Sequence, residues 1–187
     1  AWTAQTGNAF QDMDTTAGFN NVIASKNALD ANGGTYVNLG LEMANGIFAA
    51  NPVEAGTKRN RVVIVFTDGD PGYNGNWSGS SYGNSGDAKA VADRAIANAT
   101  TSKATYGATV YTVGIFEGAD AETRPLTSVS KGNQFMHYVS SNYTSGTSFD
   151  SPGTATFPIK GSYYLSASNT NDLTGIFQQI SQNVEGG

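Results

Sequence analysis

Arg61-Val62-Val63-Ile64-Val65-Phe66-Thr67-Asp68-Gly69 is the stretch on which the fold turns. Its centre, Val62 to Phe66, is an unbroken β-branched and aromatic run, which fits a strand buried on both faces, and such strands belong to parallel sheets. Downstream, Gly69 to Gly86 carries six glycines, too many for a helix or a central strand, so a long surface loop follows the strand. Ala88, Val91, Ala92, Ala95, Ile96 and Ala99 then mark a helical stripe, with Ser85 or Asp87 as its cap. Thr109 to Phe116 reads as a second buried strand, which the right-handed crossover rule sets beside the first.

Upstream, Phe19, Val22, Ile23 and Leu29 predict a helix that Asn32-Gly33-Gly34 ends. Val37, Leu41, Ala44 and Phe48 predict a second, stopped by Asn51-Pro52. Ala1 to Gly18 shows no periodicity and reads as irregular. Towards the C-terminus come a short helix around Phe135 and Val139, a loop over Gly146 to Pro158 and a third strand, Tyr163 to Ala167. A closing helix follows on Leu173, Ile176, Phe177, Ile180 and Val184, introduced by the cap-favouring run Ser168 to Asp172. The pattern is α/β, a Rossmann-like, doubly wound, mostly parallel sheet with helices on both faces. No repeat or low-complexity linker divides residues 1–187, which read as a single domain.

Composition narrows the function. A charged fraction of 13% and a formal net charge of -5 supply no basic stripe, which weighs against nucleic acid. With no cysteine and only His137, thiolate and multi-histidine metal sites are excluded, while hard cations held by oxygen remain possible. No run resembles a signal peptide or a membrane-inserted anchor, and the wealth of Asn, Ser, Thr and Gly suits an extracellular surface protein.

Ligands of doubly wound sheets bind beyond the carboxyl ends of the strands. Asp68, followed by Gly69 and Asp70, falls there, placed either to hold a cation or to order a turn by accepting backbone N–H groups. Thr35, one turn before the Val37 helix, is placed either to cap that helix or to reach a metal at the sheet edge.

Gly33-Gly-Thr-Tyr-Val-Asn-Leu-Gly-Leu41 resembles the Gly-Gly-Thr, helix, Gly-Leu segment of von Willebrand factor A domains, and Arg61 to Gly69 is similar to that family's strand ending in Thr-Asp-Gly. Tyr111-Thr-Val-Gly-Ile-Phe116 and the closing helix follow in the family's order, so the resemblance runs from about Phe19 to Val184. Asn133 to Tyr143 resembles the variant in surface proteins and pilus-tip adhesins of Gram-positive bacteria. The resemblance implies a metal-ion-dependent adhesion site on a wall-anchored or pilus-associated protein. Thr35 and Asp68 would be its metal residues, Mg²⁺ its cation with Ca²⁺ or Mn²⁺ as substitutes, and an acidic residue of an extracellular protein its partner, in preference to carbohydrate.

The family's Asp-x-Ser-x-Ser ligands, which end its central strand, do not occur; Asp12-Met-Asp14-Thr-Thr16 comes nearest, without an apolar strand before it. The resemblance therefore implies a domain lacking its N-terminal strands, completed by a complementing fragment or chain. The Val62 to Phe66 strand would then carry an unpaired edge.

Tyr73, Trp77 and Tyr82 in the glycine-rich loop would either contact a ligand or pack on their own domain. Glu117, Asp120 and Glu122 read as a solvated acidic rim in preference to a second metal site, and His137 as a packed or surface histidine. Without a nucleophile elbow, a phosphate-binding loop or a dinucleotide fingerprint, the reading is a binding module and not an enzyme. The alternatives are a pilus or surface scaffold subunit with a non-functional metal site and, behind it, a hydrolytic α/β enzyme.

Overall fold

The computed structural model describes residues 10–28, 33–123, 126–156, 162–167 and 169–185. Three parallel strands, β1 (Val62–Thr67), β2 (Thr109–Gly114) and β5 (Tyr164–Ser166), form a sheet in the order β1-β2-β5. Val62 pairs with Thr109 and Phe66 with Val113, and on the far side of β2 Thr112 pairs with Tyr164. Helix α3 (Ala88–Tyr106) makes the crossover from β1 to β2 and ends at Gly107, in left-handed conformation.

Strand alternation divides the core into two layers. Val63, Val65 and Val110 face α3, α2 (Val37–Ala50) and α4 (Lys131–Val139), burying Leu41, Ala92, Ile96, Phe135 and Val139 against Tyr164. On the opposite face Tyr111 and Val113 lie under Ile176 and Ile180 of α5 (Leu173–Glu185). Helices thus flank the sheet on both faces, as the sequence pattern predicts. Arg61 ties two helix ends of the first layer together: its guanidinium donates to Asn51 O at 2.7 Å and Tyr106 O at 3.2 Å, where α2 and α3 finish, and stacks over Phe48. No helix among the described residues is long and apolar enough to cross a membrane.

Three expectations need correction. β1 is not buried on both faces: among the described residues it lies at the sheet's edge, with Ile64 40% and Phe66 49% exposed, because the cluster under α5 covers β2 and the start of β1 at Val62 but not Ile64 and Phe66. The stretch from Gly146 is no loop. It belongs to an antiparallel hairpin, β3 (Tyr143–Ser148) and β4 (Ser151–Ala155), which lies on α3 with Thr100 donating to Gly146 O at 2.7 Å. Helix α1 (Thr16–Asn27) stops before Asn32-Gly33-Gly34, and Leu29 falls outside the described residues. Phe19, Val22 and Ile23 on α1 are exposed.

Candidate functional site

β1 delivers Thr67 and Asp68 to the carboxyl edge of the sheet. Thr67 is buried, and its hydroxyl both donates to Gly69 O (3.1 Å) and accepts from Gly69 N (3.3 Å), closing a tight turn. Asp68, between them, is exposed. Thr35 is brought to the same loop: its N–H donates to Gly72 O and its carbonyl accepts from Gly72 N, each at 2.8 Å. Gly72 is required there, since it sits at φ +93° and a Cβ would lie 2.8 Å from Gly86 O. The residue at the cap position of α2 is Tyr36, which makes no side-chain capping bond, and Thr35 does not cap the helix either.

The structure therefore joins by main-chain hydrogen bonds the Thr35 segment and the loop that follows Asp68. Neither the Thr35 hydroxyl nor the Asp68 carboxylate is engaged by a side-chain hydrogen bond among the described residues, so both oxygens are available to a hard cation. A hydroxyl and a carboxylate are the donor types a hard cation takes, and two of them do not complete its shell. Among the described residues no three acidic or histidine side chains converge, so the remaining ligands would be waters and groups from outside.

Asp70, also exposed, is engaged instead, accepting from Trp77 Nε1 at 3.3 Å and lying against Gly132 in the first turn of α4. Asp12-Met-Asp14-Thr-Thr16 is a helix start: Thr15 caps α1 by accepting from Gly18 N, and Asp12 accepts from Asp14 N.

Asp87 organises the glycine-rich loop, a role its position immediately before α3 concealed. It occupies the cap position of the helix yet turns away, accepting from Ser81 N at 2.8 Å and Asn76 Nδ2 at 3.1 Å. The Ser81 N–H, helped by the side chains of Asn74 and Asn76, holds its carboxyl below the usual range against the opposing effect of burial. A Cβ on Gly79 would overlap that carboxylate.

The three loop aromatics separate. Trp77 packs on Phe149, ring centroids 4.9 Å apart, and Tyr82 lies edge-on to Tyr36 at 5.9 Å beneath the Arg94 guanidinium. Tyr73, next to Gly72, remains 63% exposed. Past β2, an open depression of about 430 Å³ is lined by Ile115 to Ala119. Glu117 and Glu122 are exposed, whereas the Asp120 carboxylate is taken up by the Thr123 hydroxyl and the N–H groups of Glu122 and Thr123, which hold it below its ordinary value. Asp120 thus orders a turn.

His137 is fully buried. Asn142 Oδ1 accepts from Tyr163 N, so Asn142 Nδ2 is the donor to His137 Nδ1 at 2.9 Å, and the imidazole stands perpendicular to Tyr164. Of the two sequence readings, the packed histidine holds. Comparison of the chain with models of protein families, with curated proteins and with solved structures gave no match.

Proposed function

We propose that this chain is an incomplete von Willebrand factor A-type module that mediates adhesion at a bacterial cell surface through a divalent cation. Thr35 and Asp68 are its contribution to the metal site. The observation that carries the reading is the reciprocal pair of hydrogen bonds between Thr35 and Gly72, which couples the hydroxyl's segment to the loop following Asp68 at the carboxyl edge of a parallel sheet.

Mg²⁺ suits a site of few oxygen ligands and retained waters, with Ca²⁺ or Mn²⁺ as substitutes; when bound it supplies positive charge for an acidic group of an extracellular protein. Asp68 supplies negative charge at an exposed position, and Tyr73, in the loop that follows it, offers an exposed aromatic surface. A complementing polypeptide contributes the remaining protein ligands. The module binds and does not catalyse. The second reading, a pilus or surface scaffold with a non-functional metal site, is favoured by one observation: among the described residues no three acidic or histidine side chains gather to hold an ion.

Mn²⁺ titrated into the isotope-labelled chain tests this directly. Paramagnetic broadening should appear at Asp68 and Thr35 together, be displaced by Mg²⁺, and vanish from both in Asp68→Ala. Broadening at Glu117 or Asp150 with none at Thr35 would support the scaffold instead.

A further inference from the structure

We infer that His137 and Asn142 form a pH-sensitive latch between α4, β3 and β5: protonation of the buried imidazole reverses the Asn142 amide and releases the N–H of Tyr163, the residue that leads into β5. Neither Thr35 nor Asp68 takes part, so the latch stands whether or not that site takes a metal.

Asn142 sits at a junction of elements. Its N–H donates to Ser140 Oγ at the end of α4, its carbonyl accepts from Thr156 N just past β4, and it directly precedes β3. Its side chain is fully buried and engaged at both ends: Oδ1 accepts from Tyr163 N at 3.0 Å, while Nδ2 donates to His137 Nδ1 at 2.9 Å and to Ser162 Oγ at 2.8 Å. A main-chain N–H can only donate, so Tyr163 fixes which end of the amide is oxygen. That in turn fixes the imidazole as an acceptor at Nδ1, the neutral tautomer with its proton on Nε2. Tyr163 O accepts from Thr112 N of β2 at 2.8 Å, so the same residue holds the start of β5 to the sheet.

An imidazolium cannot accept at Nδ1, and its new N–H would face the Asn142 Nδ2 hydrogens inside the core. Reversing the amide turns Oδ1 to that N–H in a charge-assisted bond, but it sets Nδ2 against Tyr163 N, donor to donor. Ser162 Oγ tolerates the reversal, since a hydroxyl both donates and accepts. The cost therefore falls on Tyr163. Among the described residues, the charged and titratable groups around the ring are few. Asp120, in the loop after β2, interacts electrostatically with His137; its carboxylate, held below its ordinary value by Thr123 and the N–H groups of Glu122 and Thr123, favours the imidazolium. Lys103 of α3, whose ammonium donates to Val139 O and Ser140 O just past His137, opposes it. Tyr164 of β5 stands edge-on to the imidazole at 4.9 Å with a phenol that burial keeps neutral, and Thr112 of β2, donating to Met136 O, carries no charge.

Nitrogen NMR of the imidazole, with amide exchange, between about pH 7.5 and about pH 4.5 tests this. At the upper end Nδ1 should carry no proton. At the lower end both ring nitrogens should be protonated, and the protection of the Tyr163 amide, corrected for the intrinsic pH dependence of exchange, should have fallen about tenfold or more while that of Ile96 in α3 holds. His137→Gln, whose amide oxygen accepts from Asn142 without titrating, should keep Tyr163 protected throughout. Asn142→Asp, which removes the donor to Nδ1 and offers a carboxylate in its place, should move ring protonation upward by about one pH unit or more. Should either variant fail to fold, the two readouts on the parent chain decide alone. An imidazole neutral over the whole interval, an imidazolium with Tyr163 still protected, equal losses at Tyr163 and Ile96, or the same acid loss in His137→Gln would overturn the inference.

Discussion

Lys103 yields the most quantitative expectation. Its ammonium extends from α3 into the turn after α4, where it donates to Tyr143 O at 2.8 Å, Ser140 O at 2.9 Å and Val139 O at 3.1 Å, with no carboxylate among the described residues paired to it. Burial pushes it down to about 8 from the 10.5 of a free lysine. Between those values the unfolded chain holds more proton than the folded one, so stability rises with pH across that window and is flat on either side. From pH 7.5 to pH 9.5 the gain works out at about 2 kcal/mol. Urea unfolding at half-unit intervals measures it, and stopping at pH 9.5 avoids Tyr111, Tyr138 and Tyr164, whose phenols burial raises and which lower stability at higher pH. Lys103→Met should be less stable at pH 7.5 by about 2–4 kcal/mol, because three carbonyls lose their donor, and should lose the rise. A flat or falling profile in the parent chain, or the same slope in Lys103→Met, would refute the reasoning.

Other perturbations separate the layers of the structure. Ile96→Ala, in the fully buried stripe of α3, should cost about 2–5 kcal/mol in chemical denaturation, whereas Phe66→Ser should cost under about 1 kcal/mol in the isolated chain. Asp87 stabilises the loop above its ordinary value of 3.8 and progressively less as pH falls below it, so the Ser81 amide should lose protection in acid. Gly79→Ala should produce the same loss at neutral pH; an unchanged Ser81 exchange rate would remove Asp87 from its organising role.

Periodicity carried most of the framework because the elements that bury apolar side chains repeat them at fixed intervals: α2, α3 and both long strands lie where Val37, Ala88, Val62 and Thr109 begin their patterns. The β3–β4 hairpin was illegible because Tyr143–Ser148 and Ser151–Ala155 are rich in Ser, Thr and Gly, with Phe149 in the turn supplying the large buried side chain. An unbroken apolar run cannot distinguish a central strand from an edge strand, which is why the exposure of Ile64 and Phe66 escaped the pattern. At the site, the positions of Thr35 and Asp68 were legible; the main-chain link from Thr35 to Gly72 was not, since no side chain encodes it. Asp87 misled for a related reason, because an acid before a helix reads as a cap whichever way it turns.

The glycine-rich loop is held largely by its own backbone: Tyr73 N to Gly86 O, Asp87 N to Ser81 O, Ala88 N to Asn74 O and Lys89 N to Asn76 O, besides the bonds to Thr35. A loop framed in this way separates shape from surface chemistry. Provided Gly72, Gly79 and Asp87 stay, residues such as Tyr73 and Ser80 are free to change without redrawing its path. One scaffold can then present different faces to different partners, with specificity altered by single substitutions at the tip and stability left to the layers beneath.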